Sequence, residues 1–302
     1  NLDLSKNGYA KIFELGINSP EVLFAVEFKS SVIDHAYDAY VRPSGDTKEL
    51  GKQVYSGFVP TSELVDSYEM AGDGGNFSWE KHGKDPYANR EPRFYATILY
   101  NGADWMGRKI ESFVGGKDGY KAYENAGAAG TTVTGYYLRK YLIDGDKTWV
   151  TSGSGQDWIV LRYAEVLLNK AEALAMENWN KNSAEALQAL NDVRARVGLP
   201  ARATADKETF LEYVRHERKV ELAGEGFRYW DLRRWRLAEK VIDGQNVHGV
   251  KISKQSDGSF TYEQVDADGG HKRIFYDRYY RFAIPLSERS NNSLCTNNDG
   301  WI

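Results

Sequence analysis

The sequence Glu217–Trp235, ERKVELAGEGFRYWDLRRW, decides the fold of this 302-residue chain. It predicts a helix that ends near Gly224, a glycine-flanked corner, and a second helix that begins near Arg228, because glycine closes a helix at low cost by adopting a positive φ. Glu217 and Glu221 lie one helical turn apart and repel each other unless they are paired. Nearby arginines offer planar, multidentate donors to such carboxylates. We therefore expect an ion network that joins the two helices.

Two catalytic interpretations of this stretch are disfavoured. Glu217 and Glu221 could be the acid and base of a glycosidase, whose carboxyl groups stand about 5–9.5 Å apart. The surrounding arginines would lower both pKa values, whereas the catalytic acid needs a raised pKa. His216 and Glu217 begin an H-E-x-x-H zinc-protease pattern, but Val220 stands where the second histidine is required. We therefore predict a structural stretch with no catalytic residue and no metal ligand.

The stretch resembles the E-R-x-x-E-L-x-x-E-G-x-R-x-x-D-L-x-R-W block near the carboxyl end of the SusD/RagB-like family of outer-membrane nutrient-binding lipoproteins. Further segments resemble the same family, namely Glu21–Phe28, Pro60–Tyr68, Glu91–Ile98, Arg162–Ala173 and Ile284–Glu288. The resemblance therefore covers nearly the whole chain. It implies a mainly α fold, in which tetratricopeptide-like helix pairs are joined to a loop-rich capping region and a short β-hairpin.

Residues 1–156 are predicted to be a loop-rich ligand-binding or capping region. Gly, Asn, Asp and Tyr recur there without a sustained 3.6-residue period. Within it, the apolar run Glu21–Phe28 predicts a buried strand or extended segment, and Thr61–Glu69 predicts a short helix capped by Thr61. Glu91–Ile98 resembles a strand of the family.

Residues 157–242 are predicted to be the tetratricopeptide-like helical region that carries the opening stretch. Apolar stripes predict one helix around residues 160–175, a second that begins at Asn182 with Glu185 in a capping box, and a third that begins near Asp206. Residues 243–302 are predicted to form a β-hairpin and a carboxyl-terminal tail, with Asp257–Gly258 as a type I′ turn.

The segments that resemble the family do not include its proteins' amino-terminal half. Residues 1–5 lack the basic and apolar regions of a signal peptide. We therefore expect the natural polypeptide to extend before Asn1, with a lipidated cysteine and more helical repeats. Stacked helix pairs need about three repeats to bury a continuous core, so we also expect residues 160–175 and 187–197 to expose apolar faces.

Composition disfavours several classes of protein and site. The net charge of −4 gives no electrostatic reason to expect a nucleic-acid partner. Cys295 is the only cysteine, so neither an intrachain disulfide nor a multi-thiolate zinc site can form. No apolar run approaches the ~18–20 residues of a membrane span. We expect no cofactor and no metal.

Aromatic residues on the irregular segments are the candidate ligand-binding residues. Sugar rings present apolar C–H faces, on which flat aromatic side chains pack while flanking polar groups bond the hydroxyls. The aromatics in question are Tyr37, Tyr40, Trp79, Tyr87, Trp105, Tyr120 and Tyr123. The predicted ligand-binding residues among them are Trp79, Trp105, Tyr37, Tyr87 and Tyr123, and we expect Trp79 or Trp105 to be solvent-accessible. For each, packing beneath a long loop is the competing interpretation.

The resemblance implies a non-catalytic surface protein that captures oligosaccharides and delivers them to a SusC-like TonB-dependent transporter. It implies a position on the extracellular face of the outer membrane, held by a lipid anchor that lies outside this sequence. An oligopeptide-binding member of the same family is the alternative. A glycan-active enzyme is a further alternative, disfavoured because no acid–base pair stands out in the loops and none of the five histidines lies at metal-ligand spacing.

Overall fold

The computed structural model describes residues 2, 8–125 and 131–301. Their helices are α1 (Gly8–Leu15), α2 (Tyr37–Val41), α3 (Asp46–Leu50), α4 (Ser62–Val65), α5 (Trp79–His82), α6 (Pro92–Thr97), α7 (Trp149–Ser152), α8 (Tyr163–Arg196), α9 (Lys207–Glu221), α10 (Phe227–Arg234), α11 (Ala238–Ile242) and α12 (Leu286–Asn291). Short 3₁₀ turns lie at Gly16–Asn18, Tyr123–Asn125 and Asp277–Tyr280.

The strands are short and pair only two at a time in this part of the chain. They are β1 (Val22–Val26), β2 (Ile98–Leu99), β3 (Asp104–Trp105), β4 (Arg108–Lys109), β5 (Tyr137–Leu138), β6 (Trp158–Arg162), β7 (His248–Lys254) and β8 (Phe260–Asp266). The antiparallel pairs are β1–β6, β2–β5, β3–β4 and β7–β8. Helix therefore dominates, and the prediction of a mainly α fold with a short hairpin is confirmed.

Helix α8 is broken at Asn178, where the backbone is non-helical (φ −161°, ψ 94°). The Asn178 side-chain oxygen accepts a hydrogen bond from the backbone N–H of Lys181 at 3.2 Å, which is the geometry of an N-cap. The second predicted helix therefore begins after Asn178, and the prediction that it begins at Asn182 is wrong. The next prediction is confirmed, because Asp206 caps α9 by accepting from the backbone of Thr209 at 2.7 Å.

The two halves of α8 bury their apolar stripes against α9. The shared cluster contains Ala164, Leu167, Leu168, Ala171, Ala175, Ala189, Leu190, Val193, Phe210, Leu211 and Val214. The expectation that residues 160–175 and 187–197 expose their apolar faces is therefore wrong for most of these positions. The two halves of α8 together with α9 are enough to close this core, because each of the three supplies one apolar stripe.

Other apolar clusters connect regions that are far apart in sequence. One joins Tyr9, Ile12 and Phe13 of α1 to Tyr141, Ile159, Val197 and Leu199. Another joins Val65, Tyr68 and Phe94 to Val220, Val250 and Ile252. The three predicted regions thus share packing across both of their boundaries, and the division at residues 156 and 242 stays a prediction. The sequence pattern also predicts a short amphipathic helix over residues 3–16, of which residues 3–7 lie outside the described chain and Gly8–Leu15 form α1.

Three local predictions are corrected by the structure. Glu91–Ile98 forms helix α6 before the short strand β2, because Pro92 occupies the first helical position, where its missing N–H costs nothing. The segment Glu21–Phe28 does form β1, but Leu23 and Phe24 are half-exposed, since a two-stranded sheet leaves one face uncovered. The hairpin loop spans residues 255–259, and Gly258 has the positive φ there, so the predicted type I′ turn is wrong.

Candidate functional site

The two glutamates of α9 lie in a buried ion network. Glu221 is fully buried and pairs with Arg162 at 2.7 Å, Arg93 at 2.9 Å and Arg196. Glu217 pairs with Arg93 at 2.5 Å and with a further arginine of α8. These arginines come from α6, the end of β6 and the end of α8. The expectation that arginines of the stretch itself pair these carboxylates is wrong.

The link between α9 and α10 is a separate ion pair. The Arg218 Nε donates to Asp231 Oδ2 at 2.8 Å, and both side chains are nearly buried. Asp231 also accepts from Arg234 at 2.8 Å. The predicted ion network that joins the two helices is therefore present, although other residues than Glu217 and Glu221 form the joint.

The network fixes the charge of its carboxylates. Burial by itself would raise the pKa of Glu221, but Arg196, Arg162 and Arg93 hold this pKa well below its ordinary value. At Glu225, burial would likewise raise the pKa, but Arg162 and Lys140 outweigh it, so the pKa is lowered. A carboxylate held ionised inside a closed network cannot donate a proton near neutral pH. The geometry therefore gives the network a structural role.

A cleft lined by aromatic side chains lies elsewhere, where β1, α2 and β6 meet. It encloses about 360 Å³ and is lined by Phe28, His35, Ala36, Tyr37, Tyr40, Phe58 and Trp158. We call it the aromatic cleft. Few polar atoms face it, which suits the apolar face of a ligand.

The rings of the aromatic cleft support one another at its rim. Tyr40 stacks on Tyr55, with ring centroids 5.1 Å apart and planes at 25°. Phe58 contacts Tyr40 edge to face at 6.4 Å and is 63% exposed. Tyr40 is 45% exposed, so the rim presents accessible ring faces. Offset-stacked and edge-to-face arrangements are the favoured geometries of aromatic pairs, so this rim is preorganised.

Hydrogen bonds hold the floor of the aromatic cleft. The Tyr37 hydroxyl donates to the backbone oxygen of Lys140 at 2.8 Å, and burial raises the pKa of this hydroxyl, which therefore stays protonated. The His35 Nε2 bonds the backbone oxygen of Gln156 at 2.9 Å. Phe28 lies edge-on to the His35 ring at 4.6 Å. The floor is therefore rigid.

A more polar cleft of about 680 Å³ shares His35 and Ala36 with the aromatic cleft. Its other lining residues include Asp34, Lys52 and Thr151. Lys52 is already engaged, because its ammonium donates to the backbone oxygens of Trp149 and Val150. A ligand that spans both clefts would meet apolar rings on one side and side-chain oxygens on the other.

Two of the predicted ligand-binding residues are buried. Trp105 is 0% exposed, its Nε1 donates to Asp46 at 3.0 Å, and the Arg42 guanidinium lies 5.2 Å from its ring centre. Tyr87 is also buried, with its ring 4.6 Å from that of Tyr100. Neither ring presents a face to a ligand, so the expectation of an accessible Trp105 is wrong. Packing beneath a loop, the competing interpretation, describes both residues.

The remaining predicted residues are divided between surfaces. Tyr37 lines the aromatic cleft together with Tyr40. Trp79 is half-buried, and its Nε1 donates to Asp66 at 2.9 Å. Tyr123 is exposed beside His271, with ring centroids 5.7 Å apart. Trp79 and Tyr123 do not line the cleft, and their ligand-binding role stays a prediction.

The sequence reasoning missed Phe28, Phe58 and Trp158. Each lies in or beside a segment read only for its strand or helix pattern, so its side chain was assigned to packing. One signal was available, because Tyr37 and Tyr40 stand three positions apart and such residues share one side of a helix.

The described residues contain neither a helix that could span a membrane nor a cluster of metal-ligating side chains. Within the described ranges, no helix has the length and apolarity that crossing a bilayer requires. No group of three or more His, Cys, Asp or Glu side chains is arranged to hold a metal ion in the same residues.

Comparisons with known proteins agree with the fold. A family model described as the SusD family matches residues 20–301. A SusD-like protein from Formosa agariphila is 32% identical over 133 residues, which make up 41% of this chain and 25% of that protein. These matches confirm the resemblance drawn from the opening stretch.

Solved structures match over nearly the whole chain. A SusD-like carbohydrate-binding protein from Bacteroides fragilis has a TM-score of 0.73 and 26% identity, covering 95% of this chain and 60% of that one. Surface glycan-binding protein A from Bacteroides thetaiotaomicron, solved in complex with laminarihexaose, has a TM-score of 0.52 and 21% identity, covering 99% and 56%. The tetratricopeptide-like fold is thereby confirmed. This chain spans about a quarter of the curated relative and somewhat over half of each solved chain.

Proposed function

Because this chain belongs to the SusD family, whose members are carbohydrate-binding proteins, we propose that it captures oligosaccharides at the cell surface without catalysis and delivers them to a TonB-dependent outer-membrane transporter. The observation that carries the proposal is the aromatic cleft, with its accessible Tyr40 and Phe58 rings. Sugar rings pack their C–H faces on such rings, so the cleft matches the ligand class of the family.

The polar cleft that adjoins the aromatic cleft supports a glycan rather than a wholly apolar ligand. Sugar hydroxyls require hydrogen-bond partners once water is displaced. Asp34 and Thr151 line the polar cleft and supply side-chain oxygens within the same concave surface. The two clefts together therefore offer the mixed lining that is typical of small-ligand sites.

The non-catalytic part of the proposal rests on the state of the acidic residues. Glycoside hydrolysis needs one carboxyl group with a raised pKa that faces the substrate. Glu221 and Glu225 are buried among basic groups that hold their pKa values low, and neither lines the aromatic cleft. Their arrangement supports binding without acid–base chemistry.

Family membership supports the parts of the proposal that concern transporter delivery and location. We infer that the whole protein lies on the extracellular face of the outer membrane beside a SusC-like transporter. A lipid anchor is part of this proposal for the whole protein, and this chain spans only part of each relative described above.

The first prediction tests the cleft. Tyr40→Ala should weaken binding of neutral oligosaccharides by about threefold to tenfold, because a lost ring contact of this kind is worth roughly 0.5–1.5 kcal/mol. Calorimetry with laminarihexaose and a panel of neutral oligosaccharides would measure this change. Phe58→Ala should act in the same direction.

The control for this test is Tyr276→Ala, which removes a similarly exposed tyrosine that does not line the cleft. Equal affinity in the parent and the Tyr40 and Phe58 variants would contradict the assignment of the cleft. Binding of oligopeptides, with no oligosaccharide bound, would favour the alternative ligand class.

A further inference from the structure

A second pocket lies between α10 and the segment that follows the 3₁₀ turn Asp277–Tyr280. It encloses about 530 Å³ and is lined by Trp230, Arg233, Arg234, Arg236, Tyr280, Arg281 and Phe282. We call it the arginine pocket. Four of its lining side chains are cationic and none is acidic, so its field favours an anion.

Arg233 is the distinguishing residue of the arginine pocket. Its side chain is about nine-tenths buried, since the residue is only 9% exposed. Its guanidinium carbon lies 4.7 Å from the centre of the Phe282 ring and 5.0 Å from that of Tyr229. Among the residues that the structure describes, no side chain or backbone oxygen accepts a hydrogen bond from the Arg233 guanidinium.

The other buried arginines differ from Arg233. Arg162, for example, donates to Glu21, Glu221 and Glu225. Arg90, which lacks an ion pair, donates instead to the backbone oxygens of Pro86, Val65 and Tyr68. Arg233 is held only by its two aromatic contacts, so its donors are available to an acceptor from outside the described chain.

The other three arginines of the pocket cannot accept a hydrogen bond from Arg233, because a guanidinium has donors only. They differ in how firmly their own partners hold them. Arg234 is bonded to Glu172 at 2.6 Å and to Asp231 at 2.8 Å. Arg236 and Arg281 make only long contacts, 3.7 Å to Asp277 and 4.0 Å to Asp299, and all four of these side chains are exposed. Such exposed pairs are weak, so both arginines are free to turn towards an anion.

We propose that the arginine pocket is a second ligand site, which binds the carboxylate or sulfate group of an acidic sugar residue. The planar Arg233 guanidinium offers two parallel donors to an oxyanion. Trp230 and Phe282 are each more than half exposed and present rings against which the sugar packs. The volume lies within the roughly 300–1,000 Å³ typical of small-ligand sites.

That the ligand is a sugar rests on the proposed function. That the ligand carries an oxyanion is inferred from Arg233 alone. The aromatic cleft and the arginine pocket share no lining residue. The two assignments therefore fail separately: loss of neutral-oligosaccharide binding tests the cleft, and loss of acidic-sugar binding tests the pocket.

The second prediction is that the 302-residue chain binds trigalacturonic acid or galactose 6-sulfate more tightly than galactose. Arg233→Met should weaken the acidic ligand about tenfold or more, because hydrogen bonds to charged groups are the strong ones. Calorimetry at two salt concentrations would measure both effects, and higher salt should weaken binding. Trigalacturonic acid and galactose 6-sulfate separate a carboxylate preference from a sulfate preference.

Arg273→Met is the matched control, since it removes an exposed arginine outside the pocket and changes the net charge equally. Arg233→Lys keeps the charge without the planar fork and should retain part of the affinity, which also serves if Arg233→Met fails to fold. Equal affinity for acidic and neutral sugars in the parent would overturn the proposal. Equal loss in the Arg233 and Arg273 variants would also overturn it. Binding of inorganic sulfate or of an acidic peptide, with no acidic sugar bound, would overturn the proposal as well.

Discussion

At the scale of single residues, Glu221 is the most constrained carboxylate of the buried network. Arginines from three separate segments converge on its two oxygens. A buried ion pair contributes little net stability by itself, since desolvation offsets the attraction, but the loss of one partner leaves the others uncompensated. The network therefore makes the chain sensitive to single changes.

The third prediction follows from this sensitivity. Glu221→Ala should lower the free energy of unfolding by about 3–5 kcal/mol, because Arg93, Arg162 and Arg196 each lose a buried carboxylate partner. Urea denaturation would measure the loss. Glu212→Ala, on the exposed side of the same helix, should change stability by no more than about 0.5 kcal/mol. A Glu221 variant as stable as the parent would contradict the structural role.

At the scale of elements, the position of the break in α8 depends on one N-cap, the side chain of Asn178. Sequence pattern alone could show that two helices occupy residues 160–197, because the apolar stripe continues through them. It could not distinguish Asn178 from Asn182 as the start of the second, since both are asparagines before a helical run. The structure selects Asn178 because Trp179 and Ala186 then fall on the side that packs against Phe210.

The fourth prediction concerns that cap. Asn178→Ala should cost about 0.5–2 kcal/mol of stability, because the side-chain oxygen no longer accepts from the backbone of Lys181. Thermal denaturation would report the cost as a lower Tm. Asn180→Ala, an exposed asparagine two positions later, is the control and should be neutral or slightly stabilising. A larger loss at Asn180 than at Asn178 would show that the break is placed wrongly.

The same scale explains why the strand that the family resemblance implied at Glu91–Ile98 is absent. Phe94, Tyr95, Thr97 and Ile98 are β-favouring residues, which suits a strand. Pro92 at the first helical position and the burial of Arg93 against Glu217 favour a turn of helix instead. A contact over 124 residues thus overrides the local preference, and no local pattern contains that information.

At the scale of the whole molecule, the family resemblance predicted the mainly α fold, whereas the covered apolar faces of α8 were not predicted. The candidate site was predicted only in part. Tyr37 and Tyr40 were named, whereas Phe58 and Trp158 meet them only after distant segments fold together. Trp105 and Tyr87 were named for their residue type, and residue type does not distinguish a buried ring from an exposed one.

The fifth prediction is a steep loss of stability in acid. The pKa values of Glu221, Glu225 and Glu69 are held low in the folded chain, whereas in the unfolded chain each returns to about 4.3. Their stabilisation is therefore complete above about pH 5 and is lost as the pH falls towards the folded-state pKa values. Burial raises the pKa of Glu91 and that of Asp66, and these two groups oppose the trend.

Urea denaturation between pH 3 and pH 7 would measure this dependence. Glu221→Gln should show a shallower decline than the parent, because one of the three titrating groups is gone. A free energy of unfolding that stays constant down to pH 3 would contradict the assigned charge states.

The buried network also imposes an order in time on a growing chain. Arg93 precedes Glu221 by 128 residues and Arg162 precedes it by 59. At the usual ~5–20 residues per second of synthesis, Arg162 waits about 3–12 s and Arg93 about 6–26 s before this carboxylate leaves the ribosome. Until then these guanidiniums stay hydrated, since burying them alone is costly. The buried network of the nascent chain therefore closes only after Glu221 has been made.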